Sequence, residues 1–126
     1  MKLIRKDQAI HVDKTNGTKV DYYLLNDAEI HYNKINPRTL QEWHRHHRIS
    51  ENFFILKGEL VYRYLDETNK EQSLKLKQGD LLSVDKDIHT FENQTDEVVE
   101  FIMFRYLPSY KNQSEMIKND KEIIER

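Results

Sequence analysis

A chain of 126 residues, 37% hydrophobic and 33% charged, has enough apolar mass for one modest core and not for two. Twenty basic and 22 acidic residues give a formal net charge of −2, so there is no broad positive field for nucleic acid. The absence of cysteine excludes disulfides, thiolate metal sites and a cysteine nucleophile. The opening MKLIRKDQAIHVDK has basic residues with no apolar run behind them, so no signal peptide is expected, and no segment approaches membrane-spanning length. A cytoplasmic protein that engages neither membrane nor nucleic acid is the expectation.

Period-two alternation with β-branched and aromatic residues dominates the chain. Asn16-Gly17 lies between strands expected over residues 10–14 and 19–25, a strong hairpin signal. Residues 28–35 read as the next strand, broken by Asn36-Pro37. Residues 39–46 and 51–57 follow, the second ending at Gly58, and then 59–65, a polar turn over 66–70, and strands over 73–77, 81–84, 88–93 and 98–107. Nine or ten short strands at close spacing predict an all-β fold, an antiparallel sandwich or barrel. Pro108 marks a boundary between a barrel over residues 1–108 and a tail over 109–126. In the tail, Asn112 and Glu115 form a capping box ahead of Met116, Ile117, Ile123 and Ile124, which predicts a short C-terminal helix lying on the barrel.

Chemistry concentrates in WHRHHRISENFFILKGEL and GDLLSVDKDIHTFEN. His44 and His46 are two apart, so in a strand they share a face that Trp43, Arg45 and His47 do not. A hairpin through residues 47–50 would set Glu51 across from His46 and Phe53 across from His44, within about 5 Å at Cβ. His89 begins a later strand with Phe91 as its inward partner, and a closed jelly roll can bring it beside the first pair. Three imidazoles and one carboxylate suit a single divalent transition metal (Fe, Mn, Ni, Zn or Cu) with open positions for a ligand.

These two stretches resemble the paired motifs of the cupin superfamily, small jelly-roll β-barrels built as a double-stranded β-helix. The first family motif is G, five residues, HxH, three or four residues, E, six residues, G; His44, His46, Glu51 and Gly58 match it. The second is G, five residues, PxG, two residues, H, three residues, N; Gly79, His89 and Asn93 match it. The resemblance implies a metal held by His44, His46, Glu51 and His89. Arg38 stands where the first motif opens with glycine, and Asp85 and Asp87 stand where the second has proline and glycine. The second motif is also one residue short before His89, which leaves a three-ligand site with His89 displaced as an alternative. Asp tolerates positive φ better than most residues, so Asp87 is expected to make that turn.

Phe53, Tyr62, Phe91, Met103 and Arg105 are the candidates for a substrate pocket, and an inward Arg105 could clamp a carboxylate or phosphate. His47 is expected outside the cluster, and structural or surface roles are the expectation for His11 and His31. Trp43 and Phe54 fall on the outward face, where another sheet or a subunit contact would cover them; the resemblance favours a homodimer. Two functions fit. One is a metal-dependent enzyme acting on a small molecule, of dioxygenase, isomerase, decarboxylase or lyase type, with Glu51 as ligand and proton shuttle. The other is a non-catalytic cupin that binds or senses a small ligand.

Overall fold

The computed structural model describes residues 1–47, 49–84, 86–106 and 121–126. Among the described residues, a 3-10 turn, Lys6–Gln8, is followed by twelve strands in chain order. They are β1 (Ile10–Asp13), β2 (Thr18–Leu24), β3 (Ala28–Ile35), β4 (Thr39–Leu40), β5 (His44–His46), β6 (Ser50–Lys57), β7 (Glu59–Leu65), β8 (Glu71–Lys77), β9 (Leu81–Val84), β10 (His89–Asn93), β11 (Val99–Tyr106) and β12 (Lys121–Ile123). One sheet has the order β1-β2-β3-β11-β6-β9 and the other β12-β5-β10-β7-β8, with β4 also paired to β10. All pairings are antiparallel, and the two sheets face each other as a jelly-roll barrel.

The interior follows from alternation. Along β6, Glu51, Phe53 and Ile55 are buried, as are Val99, Phe101 and Met103 along β11. Phe53, Phe91 and Phe101 pack ring to ring, with centroids 4.7 Å apart for Phe53–Phe91 and 5.5 Å for Phe91–Phe101. With Ile35, Ile55, Leu60, Tyr62 and Val99 they form the apolar floor beneath the polar end of the barrel.

Four sequence expectations are corrected. The strand expected over residues 39–46 is two pieces, because residues 41–43 leave the ladder between β4 and β5. β5 and β6 are not a hairpin: they lie in different sheets, and His46 and Glu51 approach each other from the two sheets. At the C-terminus, Lys121–Ile123 is a strand beside β5, with Ile123 paired to His44 and Lys121 to His46, rather than part of a helix. The rest of the expected helix, with its capping box and the boundary at Pro108, falls outside the described residues. The turn at Asp87 forms without positive φ. Arg38 instead takes φ 55°, in the left-handed region, at the position where the first motif has glycine. Its N–H donates to Thr95 O at 3.2 Å and its side chain to Asp96 at 2.9 Å, which hold it there.

Asn93 explains one motif residue in structural terms. Fully buried, its amide nitrogen donates to the carbonyls of Ile35, Asn36 and Glu97 at 3.1, 3.1 and 2.7 Å. Its amide oxygen accepts from Thr95 N and Oγ1 at 3.0 and 2.7 Å. It ties the end of β10 to the loops around it.

Candidate metal centre

β5, β6 and β10 deliver His44, His46, Glu51 and His89 to one buried patch, and the last three are each 1% exposed. The imidazole centroids lie 4.4 Å apart for His44–His89, 5.3 Å for His44–His46 and 6.3 Å for His46–His89. Glu51 Oε1 sits 3.4 Å from His46 Nε2 and 3.9 Å from His89 Nε2, without the geometry of a hydrogen bond to either. The shortened second motif therefore does not turn His89 away. Its backbone pairs with His44 on one side and Tyr64 on the other, which fixes its direction.

Two rings are oriented by backbone carbonyls. His44 Nδ1 donates to Glu42 O at 3.0 Å and His89 Nδ1 to Asp87 O at 2.8 Å, since a carbonyl can only accept. Each ring then points an Nε2 lone pair at the cluster, the arrangement that holds a ligating histidine in one tautomer. Burial drives the pKa of His44 down to about 3, with His89 beside it adding to the effect. Burial also lowers His46, with Arg105 next in effect, and it lowers His89 against the pull of Glu51. All three are neutral at pH 7, the form that donates to a metal.

Among the described residues, four buried atoms in this patch have no hydrogen-bond partner: His46 Nδ1, His46 Nε2, His89 Nε2 and Glu51 Oε1. Buried polar atoms are nearly always paired, and each unpaired one costs about 1–3 kcal/mol. A divalent cation is one species that would satisfy Nε2 lone pairs and a carboxylate oxygen together. Donors about 2.1 Å from a common ion stand about 3 Å apart when at right angles. The 3.4 and 3.9 Å separations exceed that by less than 1 Å. The set is convergent but looser than a closed site: among the described residues, no three His, Cys, Asp or Glu groups already stand in metal-holding geometry. A small inward movement would close the distances, and among the described residues nothing else partners those atoms.

Arg105 does point inward. Its Nε donates to Glu51 Oε2 at 2.6 Å, leaving Oε1 as the free oxygen. The patch opens onto a cavity of about 680 Å³ between the two sheets. Of the residues expected at a pocket, Phe91, Met103 and Arg105 line it, while Phe53 and Tyr62 lie in the core floor. His44 lines it as well. Sequence reading missed the opposite contribution, from β2, β3 and the turn after β1: Lys14, Val20, Tyr22, Glu29, His31 and Asn33. His31, 3% exposed, belongs to the cavity wall rather than to the surface. Their signal was the inward alternation of residues 29, 31 and 33, which carries no motif. His47 lies outside the cluster and bonds to Glu122, and His11 bonds to Asp21 at the exposed edge. Trp43 is half-buried, with the Arg126 guanidinium 4.4 Å from its ring centroid.

A double-sheet barrel with an HxH strand, a facing glutamate and a later histidine defines the cupin class. The Cupin domain family profile matches residues 31–105, more than half of the chain, and the protein belongs to that family. The chain is similar to the capsular polysaccharide assembling protein CapF from Staphylococcus aureus, at 17% identity and TM-score 0.74, over 94% of this chain and 34% of that one. It is similar to oxalate decarboxylase from Bacillus subtilis at 14% identity and TM-score 0.76, over 94% and 31%. It also resembles a chain of the Drosophila melanogaster CENP-C structure bound to CAL1, at 18% identity and TM-score 0.73, over 82% and 84%. The chain spans about a third of the length of the CapF and oxalate decarboxylase chains. At these identities the likeness is one of fold. No curated protein matches the sequence. Among the described residues, no helix is long and apolar enough to cross a membrane.

Proposed function

We propose that His44, His46, Glu51 and His89 hold one divalent transition metal, and that the chain is a metal-dependent enzyme acting on a small molecule in the adjoining cavity. The observation that carries this reading is that buried atoms of His46, His89 and Glu51, without a hydrogen-bond partner among the described residues, lie together beside a cavity of about 680 Å³. That volume lies within the range of small-molecule sites. When bound, such an ion supplies a Lewis-acid position at which a substrate oxygen is polarised. The chain's own groups do the rest. His44 and His89 are aimed by their carbonyl partners. Arg105 fixes which oxygen of Glu51 faces the cluster. Glu51 is the group in this patch able to carry a proton when it is displaced. Phe91 and Met103 keep that end of the cavity apolar. Dioxygenase, isomerase, decarboxylase and lyase chemistry all fit such a site.

The test is metal content by mass spectrometry of protein purified without chelator, with oxygen uptake and product analysis over diketones, phenols, thiols and keto acids. One equivalent of metal, lost in His44→Ala and His46→Ala but kept in His47→Ala, supports the assignment. Full metal content in the first two variants refutes it. A second reading is a non-catalytic cupin that binds or senses a small ligand in the same cavity. Retention of an unmodified ligand with no turnover at any metal would select it. A homodimer through the outer face of β6 and β9 is supported by Phe54 and Leu81, paired side by side and 42% and 65% exposed.

A further inference from the structure

The cavity has a second reactive group on its other wall. Glu29 and His31 are two apart on β3, so the pleat turns both inward, and they are only 4% and 3% exposed. His31 Nε2 donates to Glu29 Oε1 at 2.8 Å; the direction follows because an ionised carboxylate only accepts. That fixes the tautomer and leaves the lone pair on Nδ1, for which no partner is formed among the described residues. The Tyr22 ring, edge-on at 4.4 Å, holds the imidazole from β2. A carboxylate behind an imidazole whose far nitrogen is free is the arrangement of an aimed general base. A polar pair this deep has no evident packing advantage over an apolar one. Both residues line the same cavity as His44 and Arg105.

Charge and shape describe what would fit. Three cationic side chains line the cavity: Lys14, Arg105 and Lys121. Arg105 is bonded to Glu51 and Lys121 to Glu42, while Lys14 forms no ion pair among the described residues. Val20, Phe91 and Met103 add apolar surface to the lining. Imidazole can take a proton from carbon only where a neighbouring carbonyl acidifies it.

We propose that the cavity binds a small carbonyl compound bearing a carboxylate, which Lys14 attracts, and that the His31–Glu29 pair moves a proton on the carbon beside the carbonyl. In that step the C–H bond breaks as Nδ1–H forms. The C–H electron pair becomes the C=C bond of an enolate, and the carbonyl pair moves onto oxygen. Glu29 stabilises the imidazolium, which then returns the proton, so no oxidant or reductant is consumed. The proposal rests on the cavity being the substrate site of the enzyme proposed above, but not on the ion.

The experiment follows C3–H to C3–D exchange of pyruvate and phenylpyruvate in D₂O by proton NMR, with metal-replete and EDTA-treated protein and metal content measured on every sample. Wild type should exchange above the protein-free rate. His31→Gln should lower the protein-dependent rate about 100-fold or more, and Glu29→Gln about tenfold, with metal content unchanged. Lys14→Gln should raise the half-saturating phenylpyruvate concentration more than it lowers the maximal rate. Nitrogen-15 NMR should show His31 protonated at Nε2 and not at Nδ1, a readout that needs neither turnover nor a folded variant. No exchange above the blank, undiminished exchange in His31→Gln, or a proton on Nδ1 would each overturn the proposal. Exchange by wild-type protein that takes up no stoichiometric metal even when metal is supplied would defeat the metal reading and leave this one standing.

Discussion

Replacing His46 with leucine should make the metal-free protein more stable while removing its affinity for metal. The ring is 1% exposed and neither nitrogen has a partner. Two unpaired polar groups at about 1–3 kcal/mol each are relieved by an apolar side chain of similar size. Imperfect fit of the branched leucine returns about 1–2 kcal/mol, so the net gain at pH 7.5 should be about 0–5 kcal/mol. Acid should widen the gap. Burial lowers the folded-state pKa of His46 below that of the unfolded chain, so its stabilising contribution is complete above the unfolded value and lost as pH falls. At pH 5, about 1.5 units below the ordinary imidazole value, the unfolded wild type takes up a proton the folded ring refuses, which costs about 2 kcal/mol. Leucine has no such proton. Urea unfolding of EDTA-treated wild type and His46→Leu at pH 7.5 and pH 5 measures both quantities from the midpoints at constant m. Adding metal to 100 times its dissociation constant should then raise wild type by about 2.7 kcal/mol and the variant not at all. A variant less stable than metal-free wild type at both pH values, or a gap that does not grow on acidification, would refute the reasoning.

Arg105→Gln should weaken metal binding about 10- to 100-fold, because it frees Glu51 Oε2 and lets the carboxylate rotate; isothermal titration with Mn²⁺ or Ni²⁺ reads this. Asn93→Ala should destabilise by about 2–4 kcal/mol in chemical denaturation, through three lost donor bonds and two lost acceptor bonds in a fully buried place, with metal stoichiometry unchanged. Arg38→Gly should raise the melting temperature, since glycine takes φ 55° without strain and the bond lost to Asp96 is solvent-exposed. Phe54→Lys should shift a homodimer to monomer in light scattering at low micromolar concentration, and an unchanged mass would exclude that face.

The sequence made the strands legible because each is short, alternating and bounded by turn residues such as Asn16-Gly17. It made the four donor residues legible because their spacing is rare. The route by which they meet was not legible. Period two says that His44 and His46 share a face, yet says nothing of whether residues 47–49 fold back or cross to the facing sheet. A hairpin and a crossing predict the same neighbours by different paths. The tail misled for a related reason. A capping box and an apolar stripe are local signals, whereas Lys121–Ile123 is drawn into a sheet by the open edge of β5, which is known only once the sheet exists. Glu29 and His31 were invisible as a pair because an inward strand of mixed polarity looks like any half-buried strand until a cavity lies beside it.

The pairing of β12 with β5 has a consequence for how the protein is regulated and handled. Three residues near the carboxyl end run alongside the strand that carries two of the four imidazoles, and Ile124 N donates to Trp43 O at 3.0 Å just beyond it. Anything that peels those residues away, whether a protease, a fused tag or a competing strand from another protein, slackens both imidazoles together. Linkage runs the other way with equal force: a cation seated in the cluster would tighten the grip on residues 121–124, so proteolysis there should slow in proportion to occupancy.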